Sequence, residues 1–522
     1  MKKAFLSMMI VAALATACTP KETTLTFLES TDTHGNFTDF GNDAAFINQM
    51  KAELGENLIL LDGGDNMQGT TFQYCANQDA GKRNPTSEFL NYFPYDAACV
   101  GNHDIETGRK VFDRVYSETK VPILAANVID ESTGEPYFTP YIILNRQGCK
   151  VAVLGLLTPY VVTWVPDRLR PGLRFDQLEE AAAKWVKIIK EKENPDLMVG
   201  LFHSGWEFAE QNLPEGTPLG RENAVKWVAE NVPGFDLIFY GHDHRANATT
   251  ITNIAGEKVY VLNSGQRAKG LAKAEVTFRN HKKSKISIDL ISTEDQEPDA
   301  DFVNLLQPYL ERAEDYQDNE VAELPVTINS SDALNGPCLW VDEIHRCQFE
   351  TVEKEGIHAD ISFAAPLAAG KTIEAGLLTV KDFFTWYPFE NSLAVMAMTG
   401  KEVKDFLEYA YEMQNPIYNF DSGAGILYEV TDQAPRGEHI NIISMVDGTP
   451  FDLEKTYNVV MNSYRSMGGG NHFMNGCGWQ QTDIKDHVVW QSDRDLRSIF
   501  IDWARQKGTL DSEPLNCWKI KE

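Results

Sequence analysis

The stretch FDLIFYGHDH, from Phe235 to His244, joins a predicted core strand to a candidate ligand site. Its first six residues are mostly apolar, as expected of a strand that is buried in a sheet. The chain then turns at Gly241 and presents His242 and His244. Two histidines at such a turn are more often ordinary hydrogen-bonded residues than metal ligands, so the rest of the sequence has to decide between the two interpretations.

Similar apolar runs alternate with helical patterns throughout the first half of the chain. One helical pattern has apolar residues at positions 178, 181, 182, 185, 188 and 189, and Asn194-Pro195 ends it. This alternation predicts a layered α/β domain. The predicted strands are TLTFLES (24–30), LILLDGG (58–64), DAACVGN (96–102), KVAVLGL (150–156), DLMVGLFHS (196–204), FDLIFYG (235–241) and KVYVLNSG (258–265).

Oxygen and imidazole side chains follow five of these strands, at the point where each strand ends. Ligands of open α/β sheets bind at the carboxyl ends of the strands, so we expect these loops to meet at one edge. Residues 1–280 contain five histidines, and all five lie in these loops, whereas purely structural histidines would be scattered. The side chains concerned are Asp32, His34, Asp65, Asn102, His103, His203, His242 and His244.

Such a set of side chains predicts a metal centre. Imidazole, carboxylate and amide ligands without a thiolate suit Zn, Mn, Fe or Mg and do not select among these metals. The set is too large for one ion, whereas two divalent ions that share Asp65 would use all of it. Two ions about 3.5–4 Å apart suit the in-line hydrolysis of phosphate esters.

The five motifs Asp-x-His, Gly-Asp, Gly-Asn-His-Asp, His-Ser-Gly and Gly-His-x-His occur in this order. In that order they resemble the calcineurin-type metallophosphoesterases and, within them, the 5′-nucleotidase and 2′,3′-cyclic-nucleotide phosphodiesterase family. The resemblance implies a four-layer β-sandwich flanked by helices. It also implies one ion held by Asp32, His34, Asp65 and His244, and a second held by Asp65, Asn102, His203 and His242.

The same resemblance assigns catalysis to His103. In the family the corresponding histidine helps to stabilise the transition state and the leaving oxygen. An aspartate three positions later commonly orients it in 5′-nucleotidases, and this chain has Glu106 there, which has a longer reach. We interpret Asp104 as a structural turn residue.

The second half of the chain carries a different pattern of strands and short helices. We predict a catalytic domain at 22–295, a helical linker at 296–325 after the acidic segment STEDQEPDADF, and a second, α+β domain at 326–522. The segments ADISFAAPLAAGKTI, WYPFENSLAVMAMTGKEVKDFLEYA and YNVVMNSYRSMGGGNHF resemble the 5′-nucleotidase-type C-terminal domain, which binds substrate in that family.

In that domain two aromatic rings sandwich the nucleobase. The resemblance assigns this clamp to Phe389 with Asn391 and to Tyr464 with the turn that contains Gly469. Base stacking on an aromatic ring is worth roughly 1–3 kcal/mol per base. Without the resemblance, Phe389 is more simply a core residue, and the glycines are equally well explained by a tight turn.

Arginines of this domain help to hold the phosphate in 5′-nucleotidases. One of them belongs to a segment that matches AAPLAAG, where this chain has no arginine. Arg465 is then the one well-placed cation, and SYRSMGGG is closer to the cyclic-phosphodiesterase/3′-nucleotidase branch. We therefore expect that branch, or a broad nucleotidase, in preference to the 5′-nucleotidases.

The N-terminus resembles a bacterial lipoprotein signal over residues 1–18. Lys2 and Lys3 precede a short apolar run, and the small residues ATAC end at Cys18, which would be lipidated. Plain secretory cleavage is the alternative, because Ala15 stands where leucine is usual. Either pathway exports the protein, and we expect a membrane contact only through the lipid anchor, in the periplasm or at the outer-membrane surface of the cell envelope.

Length and charge limit the class of partner. The 522 residues predict two or three domains, and we expect a monomer. A formal net charge of −29 argues against a nucleic-acid polymer as partner. Small anionic substrates remain compatible with this charge where a cation neutralises the site.

These features favour the hydrolysis of nucleotide phosphate esters, as a 2′,3′-cyclic-nucleotide 2′-phosphodiesterase/3′-nucleotidase. A 5′-nucleotidase or a UDP-sugar hydrolase is the alternative. A sulfur ester is a further alternative substrate for the same centre, because the fold and the metals do not determine the leaving group. A non-catalytic lipoprotein that captures nucleotides is least favoured, because all ligand positions are intact.

Overall fold

The computed structural model describes residues 22–79, 81–207, 219–481 and 483–521, which form two domains. The predicted leader, including Cys18, lies outside the described residues. Within these ranges no helix has both the length and the apolar composition needed to cross a membrane.

Two six-stranded sheets with parallel centres form the middle of the first domain. They pack face to face through apolar side chains such as Phe27 and Phe239, whose ring centroids lie 6.1 Å apart. In spatial order, the first sheet consists of Lys282–Ile291, Leu271–Arg279, Glu22–Ser30, Leu58–Asp62, Ala97–Cys99 and Ile123–Leu124, and the second of Asn247–Thr252, Lys258–Asn263, Leu237–Tyr240, Leu197–His203, Cys149–Leu157 and Tyr141–Arg146.

Helices cover the outer faces of both sheets, so the layers follow the order helix, sheet, sheet, helix. The first sheet packs against phenylalanines such as Phe40 and Phe89, and the second against Leu178 and Ile189. The predicted four-layer α/β arrangement and all seven predicted strands are confirmed. The helices of this domain are Gly41–Leu54, Thr71–Gln78, Pro85–Tyr92, Asn102–Glu106, Arg109–Ser117, Val161–Trp164, Leu178–Glu193 and Val225–Asn231, and a small ribbon pairs Val128–Asp130 with Leu173–Phe175.

The carboxyl ends of the parallel strands meet at one edge of the sandwich, as expected. Within the first sheet, Gly63 N–H donates to Ser30 O at 2.7 Å, and within the second, Gly241 N–H donates to Phe202 O at 3.0 Å. The His203 side chain bridges the two sheets through Nδ1, 2.8 Å from Gly63 O. The loops that leave both sheets are therefore held against one another.

The predicted linker, residues 296–325, differs from the structure in two ways. Its helix, Ala300–Gln317, packs into the first domain through Phe302 and Leu306. Its last part is a strand, Glu320–Leu324, which pairs with Gly376–Thr379 of the second domain. The second domain thus begins earlier than the predicted residue 326, because buried apolar residues in this segment complete its core.

A five-stranded sheet and a three-stranded sheet support the second domain. In spatial order, the larger consists of Ser422–Ala424, Ile361–Ala364, Thr456–Asn462, Ser392–Thr399 and Val488–Asp495, and the smaller of Ile440–Met445, Ile426–Val430 and Trp518–Ile520. Ile328–Asn329 pairs with Thr372–Ile373. The α-helices are Leu339–Lys354, Val380–Trp386, Gly400–Glu412, Ser463–Ser466 and Leu496–Lys507.

Candidate active site

Gly241 lets the loop after the strand Leu237–Tyr240 approach the first sheet closely. His242 N–H donates to the Asp32 carboxylate, 3.0 Å from Oδ2. A Cβ atom at Gly241 would lie 2.4 Å from the same oxygen, so this approach requires glycine. The turn in FDLIFYGHDH therefore joins the two sheets at the site where the predicted ligands meet.

Five of the seven predicted metal ligands have a left-handed backbone. This conformation costs a non-glycine residue roughly 1–2 kcal/mol and persists only where the surrounding structure enforces it. Strain of this kind concentrates at functional sites. The φ angles are 50° at Asp32, 50° at His34, 59° at Asp65, 84° at His242 and 60° at His244.

Asp32, His34 and His244 form a first group of ligand atoms, all within 4.8 Å of one another. His34 Nε2 lies 2.8 Å from His244 Nε2, which lies 3.4 Å from Asp32 Oδ1. Thr31 Oγ1 donates to Asp32 Oδ2 at 2.7 Å and fixes the carboxylate. Burial lowers the pKa of His34 to about 4, so its ring is neutral at physiological pH, as a metal ligand has to be.

Asp65, Asn102, His203 and His242 form a second group. Asn102 Oδ1 lies 2.9 Å from His242 Nδ1 and 3.1 Å from His203 Nε2. The same His203 nitrogen lies 3.1 Å from Asp65 Oδ2. Oxygen and nitrogen atoms from four separate segments of the chain thus converge on one position.

The electrostatics of the second group favour a cation. Burial opposes the ionisation of Asp65, but His203 and His103 outweigh it and hold the pKa of this carboxyl well below its usual range. Burial likewise opposes charge on His203, yet Asp65 raises the pKa of its imidazole to about 9. A divalent ion would be attracted by the same carboxylate and would compete with the His203 proton.

Asp65 Oδ2 provides a test of whether these residues fit a metal. It is buried and has no hydrogen-bond partner among the described residues, although His203 Nε2 is near. An ionised oxygen of this kind is costly unless a cation or a donor satisfies it. Imidazole, carboxylate and amide ligands suit divalent ions. The residues present therefore fit divalent metal ions in the positions that the sequence predicts.

His103 and Glu106 form a pair beside the two groups. His103 Nδ1 lies 2.7 Å from Glu106 Oε2, so the longer side chain does reach the ring. Burial opposes charge on His103, but Glu106 and Asp65 raise the pKa of this imidazole to about 10. Asp104 accepts from the backbone N–H groups of Asn66 and Gly101, at 2.9 and 2.8 Å, which is the structural role that we expected for it.

A cleft of about 930 Å³ lies between the two domains and contains both predicted sites. Phe389 is 44% exposed, so it belongs to the cleft wall and not to the core. The ring of Tyr464 lies across Gly469, where an added Cβ would be 2.6 Å from ring carbons. Predicted residues that line the cleft are His34, Asn102, His103, Glu106, His242, His244, Phe389, Asn391, Tyr464, Arg465 and Gly469, whereas Asp32, Asp65 and His203 are buried.

Arg465, the cation that the sequence singles out for phosphate, is already paired within the second domain. Its side chain is 1% exposed, and Nη2 lies 2.7 Å from Asp421 Oδ2. The guanidinium also donates to Gly469 O at 2.6 Å and to Tyr418 O at 3.0 Å. Its hydrogen bonds are thus made within the second domain, and it is not a free cation for phosphate.

Three notable residues of the cleft were not identified from the sequence. Glu222 Oε1 lies 3.2 Å from His242 Nε2, and the ring of Trp164 lies 5.5 Å from the His242 ring, centroid to centroid. Tyr418 of the second domain is 41% exposed and also lines the cleft. None of the three belongs to a recognisable motif: Trp164 ends a short helix, Tyr418 lies in a 3-10 helix and Glu222 lies in a loop. Only the fold reveals their position.

Two family models match the chain, one in each domain. The calcineurin-like phosphoesterase model matches residues 25–246, and the model of the 5′-nucleotidase C-terminal domain matches residues 322–475. Together the two matches extend over most of the sequence.

Similar proteins cover almost the whole chain. A 2′,3′-cyclic-nucleotide 2′-phosphodiesterase/3′-nucleotidase of Haemophilus influenzae is 25% identical, over 95% of this chain and 87% of the relative. A 5′-nucleotidase of Vibrio vulnificus is 26% identical, over 90% of this chain and 91% of the relative. The structure of a candidate 5′-nucleotidase from Staphylococcus aureus covers 96% of this chain and 100% of its own, with a TM-score of 0.78 at 21% identity, and shares the fold.

The order of the metal-ligand motifs, the four-layer sandwich and both family models agree with one another. The chain therefore belongs to the calcineurin-like phosphoesterases that carry a 5′-nucleotidase C-terminal domain, and it is a metal-dependent phosphoric ester hydrolase.

Proposed function

We propose that this protein hydrolyses phosphate esters of nucleotides, with two divalent ions that share Asp65. One observation carries the proposal: both groups of predicted ligands lie at a cleft that Phe389 and Tyr464 of the second domain also line. A charged phosphate and a flat base would then be bound in one cavity.

Four side chains of the cleft have distinct tasks in the proposed reaction. When bound, the ions supply a nucleophile at neutral pH and offset charge on the phosphoryl oxygens. The Nδ1 atom of His103 is held by Glu106, which leaves Nε2 to donate a proton to the leaving oxygen. Phe389 and Tyr464 orient the nucleoside by stacking.

Among nucleotide esters, we favour the 2′,3′-cyclic and 3′-phosphates. Relatives of both activities match at nearly equal identity, so this preference rests on the chain's own residues. Arg465 is buried against Asp421, and the segment AAPLAAG has no arginine. The arginines that hold the 5′-phosphate in the resembling 5′-nucleotidases thus have no free counterpart at these two positions.

A substrate panel tests this preference. Rates for 2′,3′-cyclic AMP, 3′-AMP, 5′-AMP and a UDP-sugar would be compared at one Mn²⁺ concentration. We expect the cyclic and 3′-esters to have the highest kcat/KM. A higher value for 5′-AMP or for the UDP-sugar would overturn the preference and support the alternative activity, whereas binding without any turnover would support a nucleotide-capturing lipoprotein.

We also propose that the protein is a monomer anchored in the bacterial cell envelope through lipidated Cys18. The basic, apolar and small-residue pattern of residues 1–18 supports this location. Palmitate labelling in cells should be lost in Cys18→Ser, and labelling that persists in the variant would contradict the anchor.

A further inference from the structure

Glu222 contacts His242 at the ring nitrogen that does not face the other predicted ligands. His242 Nδ1 lies 2.9 Å from Asn102 Oδ1, and Nε2 lies 3.2 Å from Glu222 Oε1. A neutral imidazole carries one proton, and an ionised carboxylate only accepts hydrogen bonds. Nε2–H therefore donates to Glu222, which leaves the lone pair on Nδ1, the atom that faces the metal position.

The backbone of Glu222 is itself held in place by the ends of two core strands. Its carbonyl oxygen accepts from Thr158 Oγ1 at 3.0 Å and from Ser204 Oγ at 2.7 Å. Thr158 directly follows the strand Cys149–Leu157, and Ser204 directly follows His203. The carboxylate is thus attached to the same frame as the predicted ligands.

The ring of His242 is also supported on its face. Trp164 lies at a centroid distance of 5.5 Å with an angle of 31° between the two ring planes. Packing of this kind limits tilting of the imidazole but does not choose between its two tautomers. The choice of tautomer is left to the hydrogen bond that Glu222 accepts.

We propose that Glu222 is a positioning residue, which fixes the tautomer and the orientation of His242 for metal binding beside Asn102 and His203. The inference rests on the proposed metal centre. Outer partners of this kind raise ligand basicity, and their removal typically lowers metal affinity or activity by about 10–100-fold.

A direct contact between Glu222 and the substrate phosphate fits the site less well. Glu222 lines the cleft, but its negative charge would repel a phosphate group. Its oxygen already contacts an imidazole nitrogen. The carboxylate therefore acts through His242.

The test measures Mn²⁺ binding to metal-free protein by calorimetry in Glu222→Ala, Glu222→Gln and the wild type. We expect two sites in the wild type, with one weakened about 10–100-fold in Glu222→Ala. Glu222→Gln should retain most of the affinity, because its amide oxygen still accepts from Nε2–H. At saturating Mn²⁺, kcat of Glu222→Ala should recover towards the wild-type value.

Arg221→Ala is the matched control. Arg221 precedes Glu222 in the same loop, but its side chain contacts Glu179 at 3.4 Å and lies over the Trp227 ring at 5.3 Å. We expect wild-type Mn²⁺ affinity in this variant. A similar loss in Arg221→Ala would mean that the loop, and not the carboxylate, positions the ring, and would overturn the proposal.

Two results separate this inference from the metal centre on which it rests. If the wild type binds two ions and Glu222→Ala binds both with unchanged affinity, the positioning role is wrong. If the wild type itself binds fewer than two ions, the two-metal centre is wrong, and with it the role proposed for Glu222.

Discussion

His242 follows the core strand Leu237–Tyr240 and is a predicted ligand of the metal centre. We expect His242→Asn to lose one bound metal and to lower kcat by more than about 100-fold, because a direct ligand matters more than its outer partners. Metal content and turnover would be measured on the same sample. His358→Asn is the control, since this histidine is 76% exposed on the second domain. Full activity with two metals in His242→Asn would contradict the assignment.

Asp43, a buried carboxyl outside the metal centre, should make the stability of the protein depend on pH. It is fully buried in the helix Gly41–Leu54, accepts from Thr293, and has one oxygen without a partner among the described residues. Burial raises its pKa to about 6, although the bond to Thr293 opposes this. The native state therefore binds the Asp43 proton more tightly than the unfolded chain does. This proton binding stabilises the native state at low pH, and the stabilisation is lost as the pH rises from about 4 through about 6.

Asp43→Asn is neutral at every pH and should avoid this loss. Relative to the wild type, we expect its free energy of unfolding to increase by about 2 kcal/mol between pH 4 and pH 8. Denaturant unfolding at both pH values measures the difference. The exposed Asp315→Asn serves as control. A difference between Asp43→Asn and the wild type that does not change with pH would refute the account of this carboxyl.

The strands and the loops that follow them were predictable because each depends on a short stretch of sequence. Apolar runs mark the buried strands, and turns with Asp, Asn and His follow them. The metal groups could be inferred because parallel strands bring their carboxyl ends to one edge. The left-handed backbone at His242 and His244 was not visible, since it accompanies contacts with Asp32, which lies in the loop after a different strand.

Arg465, in the short helix after the strand Thr456–Asn462, has a partner that could not be predicted from the sequence. The sequence shows that Arg465 is a cation next to the predicted clamp, but it does not show which acidic residue pairs with it. The partner, Asp421, precedes a different strand, Ser422–Ala424, and only the fold brings the two together. Glu222 was missed for the same reason, because 20 residues separate it from His242.

Removing Arg465 should therefore affect folding more than phosphate binding. Burial already raises the pKa of Asp421 with Arg465 present, and Arg465→Ala would leave this carboxyl buried without its counter-charge. Breaking such a pair costs about 3–5 kcal/mol. We expect a loss of this size in the denaturant unfolding of the second domain. Unchanged stability with weakened inhibition by inorganic phosphate would instead restore the phosphate role.

The two domains contact each other directly beside the cleft. Tyr74 of the first domain donates to Asp495 of the second at 3.1 Å, and the Arg497 guanidinium lies 4.8 Å from the centre of the Tyr74 ring. The metal groups belong to one domain and the aromatic wall to the other. Under the proposed function, binding of a whole nucleotide would require both domains.

Metal-dependent hydrolysis of 2′,3′-cyclic AMP by residues 19–522 would test the proposed metal centre and its reaction together. Metal-free protein would be titrated with Mn²⁺, bound metal and turnover would be measured at each step, and EDTA would be added at the end. We predict full turnover only as the second equivalent of metal binds, and its loss in EDTA. Turnover that persists in metal-free protein, or two bound ions without hydrolysis of any nucleotide ester, would contradict the account.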